Sequence, residues 1–342
     1  MTFLANQQLL VYAVYRNGEQ LSSRESPEFS SPFRLHVWSV DAASGQVQTE
    51  KEWGTRVHDS AVQATTGGVL VKTGRIVRLY SADFREARDL PFPLPVDPNA
   101  LVSTHVSPTG KTIVIDQPLR ASDDQILHPS MNPRYNHLDV LDATSLATRF
   151  SWNLSPQLYG RYSISDVGIV ASASNGSVIR SARFGSSRWD VIFDDPNRTC
   201  VGDYPTAVTD ETVAIHCKDL TVITSPGVSF SLPIDFRGIS ADTCQADAPV
   251  DARKTTVALG SQVMALSSPV LKAKKHLLGE TTVCLTGLQI AVFDLVQKKQ
   301  IFTLSLDPVP RNDYDFALSP DGSKLALLND RRVAVYSVHS PM

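Results

Sequence analysis

Four cysteines are the residues of this chain whose spacing points most directly to chemistry. In each of two successive sequence repeats, one cysteine precedes the first predicted strand and another ends the second. Such positions lie opposite one another in an antiparallel hairpin, where Cβ atoms can be close enough for a disulfide. Four cysteines allow three pairings, and the alternative is four free buried thiols. The repeat favours two pairs: Cys200 with Cys217, and Cys244 with Cys284.

Disulfides persist in oxidising compartments, so this pairing predicts an extracytoplasmic (periplasmic or secreted) protein, with the cytoplasm as the alternative. The first residues lack a basic region and a cleavage site. A leader is therefore expected to be missing from this chain if the protein is exported. No C-x-x-C pair or nearby histidine indicates zinc, and no metal is predicted.

Charged residues and histidines recur near the predicted starts of strands that would line a central channel. A ring that mixes Arg, Asp and His can bind a small polar ligand or a metal. A hydrated, salt-bridged channel mouth is the alternative interpretation. The candidate residues are Arg56, His58, Asp59, His105, Arg161, Asp203, Arg237, Asp313 and Asp315.

Signatures of known catalytic sites are missing from the sequence. The eight histidines form no H-x-H or H-E-x-x-H spacing, and there is no G-x-S-x-G, S-x-x-K set or Walker loop. The sequence therefore identifies no catalytic residue, and we predict no cofactor. The alternative is a hydrolase- or lyase-type enzyme that works at the channel rim through His58, His105 and neighbouring acids or arginines.

Composition excludes several other classes of protein. A net charge of −3 and a pI near 6.2 give no basic footprint for nucleic acid. No apolar run approaches the roughly 18 residues that cross a bilayer. The expected partner is an unknown protein or a small polar ligand, and the protein is expected to be a monomer.

The elements that must position these residues are short strands in a repeated pattern. Residues 316–338 predict three strands, separated by the turns Ser-Pro-Asp-Gly and Asn-Asp. The same pattern recurs at Ser107–Gly110, where Ser-Pro-Thr-Gly precedes an apolar strand, and Asp41–Gly45 predicts a hairpin. Seven units of about 49 residues each match the size of propeller blades. Their approximate bounds are 1–54, 55–95, 96–156, 157–196, 197–235, 236–308 and 309–342.

These units predict an all-β single domain: a seven-bladed β-propeller of mostly four-stranded antiparallel blades. A double sandwich is the alternative. The Ser-Pro-Asp-Gly and Ser-Pro-Thr-Gly turns and the Asp-x-x-x-Gly hairpin resemble those of the WD-repeat-like and YVTN-type β-propellers of bacteria. The repeated spacing of strands and turns covers the whole chain, and the turn motifs occur in three or four units. The resemblance implies a fold, and such folds host many functions.

Two polar segments, 17–32 and 117–136, interrupt units between their second and third strands. In a propeller both would lie on the face that carries the rim, and long loops are often functional. We therefore predict a non-enzymatic binding or interaction propeller that uses this face; a plain surface loop is the alternative. Residues 270–278 predict a short helix. The last unit has three strands, so we expect its outer strand to be missing or to come from upstream of Met1 in a longer precursor.

Overall fold

Seven antiparallel sheets, which we call blades 1 to 7, form the structure, a computed structural model. The chain is a seven-bladed β-propeller, as the repeats predict. Among the described residues there is no helix with the length and apolar character needed to cross a membrane. The structure describes residues 1–16, 33–55, 60–74, 76–90, 102–118, 136–154, 162–172, 178–194, 205–217, 219–224, 228–234, 246–247, 254–275, 281–306, 314–329 and 331–338.

Each of the first four blades has four strands that pair in the order of the chain. Blade 1 consists of β1 (Thr2–Ala5), β2 (Gln8–Arg16), β3 (Phe33–Asp41) and β4 (Val47–Thr55). Blade 2 consists of β5 (Ser60–Thr65), β6 (Gly68–Thr73), β7 (Ile76–Tyr80) and β8 (Ala87–Asp89). Blade 3 consists of β9 (Ser103–Val106), β10 (Thr112–Pro118), β11 (Asn136–Asp142) and β12 (Thr148–Leu154). Blade 4 consists of β13 (Tyr162–Ile164), β14 (Gly168–Ser172), β15 (Val178–Arg183) and β16 (Asp190–Asp194).

The remaining blades vary in strand number. Blade 5 consists of β17 (Pro205–Ala207), β18 (Thr212–His216), β19 (Leu220–Thr224) and β20 (Val228–Leu232). Blade 6 consists of β21 (Ala246–Asp247), β22 (Thr255–Val257), β23 (Val263–Lys275), β24 (Thr281–Asp294) and β25 (Lys299–Leu306). Blade 7 consists of β26 (Asp315–Leu318), β27 (Lys324–Asn329) and β28 (Arg332–Ser337).

The first strand of each blade lies innermost, except in blade 6, where β22 takes that place. Consecutive inner strands contact one another from β1 to β17 and again from β22 through β26 to β1. A hydrogen bond of 3.2 Å joins the hydroxyls of Thr206 and Thr255, which belong to blades 5 and 6. Blade 7 closes on blade 1 because Phe3 and Leu9 pack against Ala317. The ring therefore closes by face-to-face packing of apolar side chains.

The repeated turn predicted from the sequence has one geometry in blades 3 and 7. Ser107 N donates to Thr112 O at 2.9 Å, and Ser319 N donates to Lys324 O at the same distance. The final glycine of each turn has a positive φ, 75° at Gly110 and 71° at Gly322. Only glycine adopts that conformation without steric cost, which explains its place in both turns.

The predicted short helix at residues 270–278 is wrong where the structure describes it. β23 continues as a strand to Lys275 and pairs with β24 as far as Thr281; residues 276–278 lie outside the described part. Cross-strand pairing in this long hairpin overrides the local helix preference of a segment rich in Leu, Lys and Ala.

The hairpin also corrects the strand assignment of one cysteine. Cys284 lies on β24, the third strand of blade 6, where it pairs with Lys272 and Asp247. The sequence placed it at the end of the second strand, because the turn at Thr286–Gly287 resembled a strand break. Cys217 and Cys284 therefore do not occupy equivalent positions in their blades.

Candidate functional site

Most residues of the predicted rim lie outside the described part of the chain. His105 on β9 and Asp315 on β26 are described, and they belong to blades 3 and 7, which are not neighbours. The segment 17–32 is also outside, as is 119–135, the greater part of the second predicted loop. The rim candidates outside the described residues are Arg56, His58, Asp59, Arg161, Asp203, Arg237 and Asp313.

Both predicted loops connect second strands to third strands, and their ends are described. Arg16 pairs with Phe33, and Pro118 pairs with Asn136, so each loop leaves from and returns to adjacent strand ends. The long β23–β24 hairpin is the same connection in blade 6. Because second strands of a propeller run in one direction, all three connections emerge on one face, which we call the loop face.

The fifth residue of the second strand is polar in six of the seven blades. The third residue of each second strand packs against the next blade, as Val114 does in blade 3 and Ala265 in blade 6. The fifth residue points to the same side and lies nearer the loop face. We call these residues the polar belt; its members are Tyr12, Lys72, Asp116, Ser172, His216 and Ser267, with Leu328 as the exception in blade 7.

Belt side chains make hydrogen bonds to the neighbouring blade. The buried Lys72 ammonium donates to the carbonyl of Val102 at 2.6 Å. His216 Nε2 lies 2.9 Å from Ser268 Oγ. Ser267 Oγ lies 2.8 Å from the phenol oxygen of Tyr314. These three polar groups therefore have partners across an interface between blades, as most buried polar groups do.

The richest part of the belt lies between blades 3 and 4. The Tyr162 hydroxyl donates to Asp116 Oδ2 and lies 2.9 Å from His105 Nε2. Since the phenol has one proton, His105 must donate through Nε2–H to the phenol oxygen. The result is a directional chain from His105 through Tyr162 to Asp116.

Burial shapes the ionisation of this chain. Burial, and secondly the charge of Lys72, lower the pKa of His105 to about 4, so its imidazole is neutral at pH 7. Burial raises the pKa of Asp116, while hydrogen bonds from Tyr162 and Asn136 act in the opposite direction. Both shifts favour the uncharged forms, as expected for groups removed from water.

Three buried oxygens at the base of the 119–135 segment have no hydrogen-bond partner among the described residues. They are Asp116 Oδ1, Gln117 Oε1 and Asn136 Oδ1, in residues that are 6%, 3% and 4% exposed. All three are acceptors, and an unpaired buried acceptor costs roughly 1–3 kcal/mol. Adjacent residues of a strand face opposite sides, so Asp116 and Asn136 face blade 4 and Gln117 faces blade 2. Asp116 and Asn136 can therefore accept from one hydrogen-bond donor or share one cation.

On the other side of the same strand ends, Asp139 is the centre of a hydrogen-bond network. Asp139 is completely buried and accepts from Ser151 Oγ at 2.7 Å and Gln117 Nε2 at 3.3 Å. His137 Nε2 lies 3.2 Å from Asp139 Oδ1, the oxygen that also accepts from Ser151. This network fixes the end of β11, and with it the point from which residues 119–135 depart.

The opposite face, formed by the turns between first and second strands, is tied together. Gly260 N of blade 6 donates to Pro108 O of blade 3 at 2.8 Å, a bond that crosses the ring because these blades are not neighbours. Thr109 Oγ1 donates to Asp166 at 2.6 Å, linking blades 3 and 4. A groove of about 580 Å³ on this face is lined by Thr66, Lys111, Asp142, Thr144, Arg149 and Asp166.

Asp315 lies at the start of β26 and forms an ion pair with the amino group of Met1. Its charge contributes, after burial, to the raised pKa values of Tyr12 and Tyr314. Among the described residues, no group of three or more His, Cys, Asp or Glu side chains could hold a metal ion.

Sequence reasoning missed Asp116 and Tyr162, and it included Asn136 only as the last residue of the predicted loop 117–136. A signal for the first was present: the second strands read GVLVK, TIVID, GIVAS and TVAIH, each with a polar residue after an apolar run. Tyr162 and Asn136 carry no comparable pattern, because they reach the site from a neighbouring blade and from a third strand.

Cys217 is buried, and it is disulfide-bonded. Among the described residues there is no free cysteine. Cys200 and Cys244 lie outside the described part, and the side chain of Cys284 is not described. The pairing of the four cysteines stays a prediction.

Comparison with known proteins supports the fold. No protein-family model matches the chain, and no curated protein matches it in sequence. A Kluyveromyces lactis Hsv2 with loop 6CD replaced by a Gly-Ser linker is 12% identical, with 90% of this chain and 89% of that chain covered and a TM-score of 0.50. A functionally unknown protein from Desulfotomaculum acetoxidans is 8% identical, with 89% of both chains covered and a TM-score of 0.49.

The C-terminal WD40 domain of Sif2 is 10% identical, with 90% of both chains covered and a TM-score of 0.44. The seven blades and the match to Hsv2 confirm the expected resemblance to WD-repeat-like propellers as a resemblance of fold. At such low identities, similarity in fold carries no information about the ligand.

Proposed function

We propose that this protein is a non-enzymatic binding propeller that holds a partner protein or a small polar ligand on its loop face. One observation carries the proposal. Three elongated connections emerge on this face, and one of them rises from buried acceptor oxygens that have no partner among the described residues. The opposite face has short turns bonded to one another, which leaves less freedom for recognition.

The chemistry at the base of residues 119–135 narrows the kind of ligand. Asp116 Oδ1 and Asn136 Oδ1 are buried acceptors on one side of adjacent strands. A group that donates hydrogen bonds, such as an amide, hydroxyl or ammonium, would satisfy them. His105 and Tyr162 are linked by hydrogen bonds that end at the Asp116 carboxyl. These bonds position the carboxyl for binding.

A hydrolase or lyase is the second candidate, and the His105–Tyr162–Asp116 chain is the observation that favours it. Its weakness is the pKa of His105, about 4. A general base works best when its pKa is near the operating pH, and a histidine near 4 is a weak base at pH 7. The chain is better suited to orientation than to proton transfer.

We also propose that the protein works outside the cytoplasm, with disulfides between Cys200 and Cys217 and between Cys244 and Cys284. The bonded state of Cys217 supports a disulfide at one of these positions. Structural disulfides are typical of oxidising compartments.

The test is to replace residues 119–135 by a short Asn-Gly turn between Pro118 and Asn136, which already pair. Asn-Gly closes two-residue hairpins well. Interacting proteins and retained small molecules are compared by quantitative mass spectrometry for the parent and the shortened protein. The parent should retain a defined set that the shortened protein loses, with an unchanged melting temperature.

A matched control changes the opposite face: Lys111→Ser removes an exposed charge from the groove of that face. This variant should retain the same set as the parent. Retention of the set by the shortened protein, or its loss in Lys111→Ser, would contradict the proposal. A Tyr162→Phe variant that turns over a substrate at a reduced rate would favour the enzyme instead.

A further inference from the structure

Blade 7 differs from the other six at its outer edge. In blades 1 to 6 the third strand pairs with a fourth strand on its outer side. In the part of the chain that the structure describes, β28 of blade 7 pairs with β27 only. This edge is separate from the loop face, so binding at the edge is independent of the proposed function.

Two valines of β28 are more exposed than the residues at the same places in other blades. Val333 lies opposite Leu328, the fifth residue of its second strand, and is 39% exposed. In blades 1 to 6 the residue at the same place is at most 1% exposed. These six residues are Val37, Val77, Leu138, Ile179, Leu220 and Ile290.

The next position on the same side behaves in the same way. Val335 lies opposite Ala326 and is 36% exposed, although its counterparts are apolar residues at most 1% exposed in four blades. The counterparts are Leu79, Val140, Val222 and Val292. β28 thus carries the apolar sequence of a covered strand and leaves two valines in water.

No described strand pairs with the outer edge of β28. Val338 N donates to Ser323 O at 2.7 Å, which fixes the alternation of the antiparallel ladder. Every second residue counted back from Val338 therefore bonds to β27. The N–H and C=O groups of the residues between them, Val333, Val335 and Ser337, point outward. Such an edge accepts an added strand.

The fourth strands of this protein show which side chains such a strand needs. Opposite the place of Val335, blades 3, 5 and 6 carry phenylalanine; opposite the place of Val333 they carry tryptophan or leucine. A serine or threonine lies between the two, so these strands read Phe-Ser-Trp, Phe-Ser-Leu and Phe-Thr-Leu. The residues are Phe150 and Trp152, Phe230 and Leu232, and Phe302 and Leu304.

Positive charge at the start of β28 favours acidic residues in a strand that pairs with its outer edge. These acidic residues would come after the phenylalanine and the leucine or tryptophan. Arg331 and Arg332 are exposed there, and the structure gives neither an ion pair with a described residue. A strand antiparallel to β28 ends beside them, so a carboxylate one or two residues after the leucine would face these arginines. Two like-charged arginines would repel a basic residue there.

We propose that β28 is a docking site for a strand of a partner protein, which completes blade 7 as its fourth strand. The occupant is an extended segment of the form Phe-Ser/Thr-Leu/Trp followed by acidic residues. It runs antiparallel to β28, with the phenylalanine beside Val335 and the leucine or tryptophan beside Val333.

The experiment measures binding of a fluorescein-labelled peptide that copies Gln300 to Ser305 and ends in Glu-Glu. Fluorescence anisotropy should show saturable binding to the protein. A peptide with serine in place of its phenylalanine and leucine should bind at least about tenfold more weakly, because both apolar contacts are lost. A peptide that ends in Lys-Lys should bind about two- to tenfold more weakly at low salt.

Two protein variants locate the binding. Val335→Pro removes an outward N–H without breaking the bonds to β27 and should weaken binding at least about tenfold. Arg331→Glu with Arg332→Glu, both exposed, should reverse the preference for the acidic over the basic peptide, which keeps the test valid if Val335→Pro unfolds. No saturable binding to the parent protein would overturn the proposal, as would unchanged binding in a folded Val335→Pro. Sedimentation that shows a dimer of the parent protein, made monomeric by Val335→Pro, would instead assign the edge to a second copy and overturn the partner strand.

Discussion

Acid sensitivity of the fold should be concentrated at His105. The pKa of this imidazole is about 4 in the folded protein against 6.5 for a free histidine, because of burial and then the charge of Lys72. The unfolded chain therefore binds more protons than the folded one between these two values. Stability contributed by the neutral histidine is present above pH 6.5 and is lost as pH falls towards 4.

The expected loss of stability follows from the difference between the pKa of His105 in the folded and in the unfolded chain. One pKa unit corresponds to 1.36 kcal/mol, so the free energy of unfolding should fall by about 3 kcal/mol across this range through His105. The raised pKa of Asp116 acts in the opposite sense, because its stabilising proton is lost as pH rises. Asp116 is present in both the parent and a His105 variant. The difference between their free energies of unfolding therefore reports the contribution of the histidine.

The variant is His105→Gln, whose side-chain amide can still donate to the phenol oxygen of Tyr162. Urea unfolding followed by tryptophan fluorescence gives the free energy of unfolding at several pH values from 4.5 to 7.5. The parent should lose stability relative to His105→Gln as pH falls, with little difference above pH 7. A difference that stays constant with pH would refute the assignment.

Two further variants separate the causes of the shift. Tyr162→Phe removes the hydrogen bond but neither burial nor Lys72, so it should lower stability by roughly 1–3 kcal/mol and keep the acid sensitivity. Lys72→Met removes the cation, so the pKa of His105 in the folded protein should rise. The acid-dependent loss of stability should then end at a higher pH and span a narrower range. A wider range in Lys72→Met would contradict the role of that charge.

Two other predictions test the fold. Gly68→Ala should lower the free energy of unfolding by more than about 2 kcal/mol, because a Cβ at this positive-φ glycine would lie 2.0 Å from Tyr80 O. Gly45→Ala should lower it by only about 1 kcal/mol, because a Cβ there would have nothing within 4 Å. Equal losses of stability in thermal or urea unfolding would be inconsistent with the steric argument. Non-reducing peptide mapping should find Cys217 joined to Cys200, and a peptide that joins Cys217 to any other cysteine would reject the repeat-based pairing.

Much of the fold was predictable because propeller blades are built from local signals. The turns at Ser107–Gly110 and Ser319–Gly322 require glycine at a positive φ, and short apolar strands come after them. Hairpins of this kind depend on residues close in sequence. Two local errors, the helix at residues 270–278 and the strand assignment of Cys284, arose where a long hairpin paired residues whose own preferences are ambiguous.

The candidate site was much less predictable. His105 was found because histidine is conspicuous near a strand start, but its partners come from β10 and β13. Those strands meet only after blades 3 and 4 pack together. No spacing in the sequence links Tyr162 to Asp116.

The sequence by itself determined most of the strands and turns, the number of blades and the places of the two predicted loops, because these depend on local hydrogen bonding and alternation. It also contained the polar residue at the fifth position of the second strands. Only the tertiary structure decided which polar groups are satisfied. Burial between blades makes His105 neutral and leaves Asp116 and Asn136 with oxygens that lack described partners. It likewise decided that Val333 and Val335 are exposed, on a strand whose outer edge pairs with no described strand.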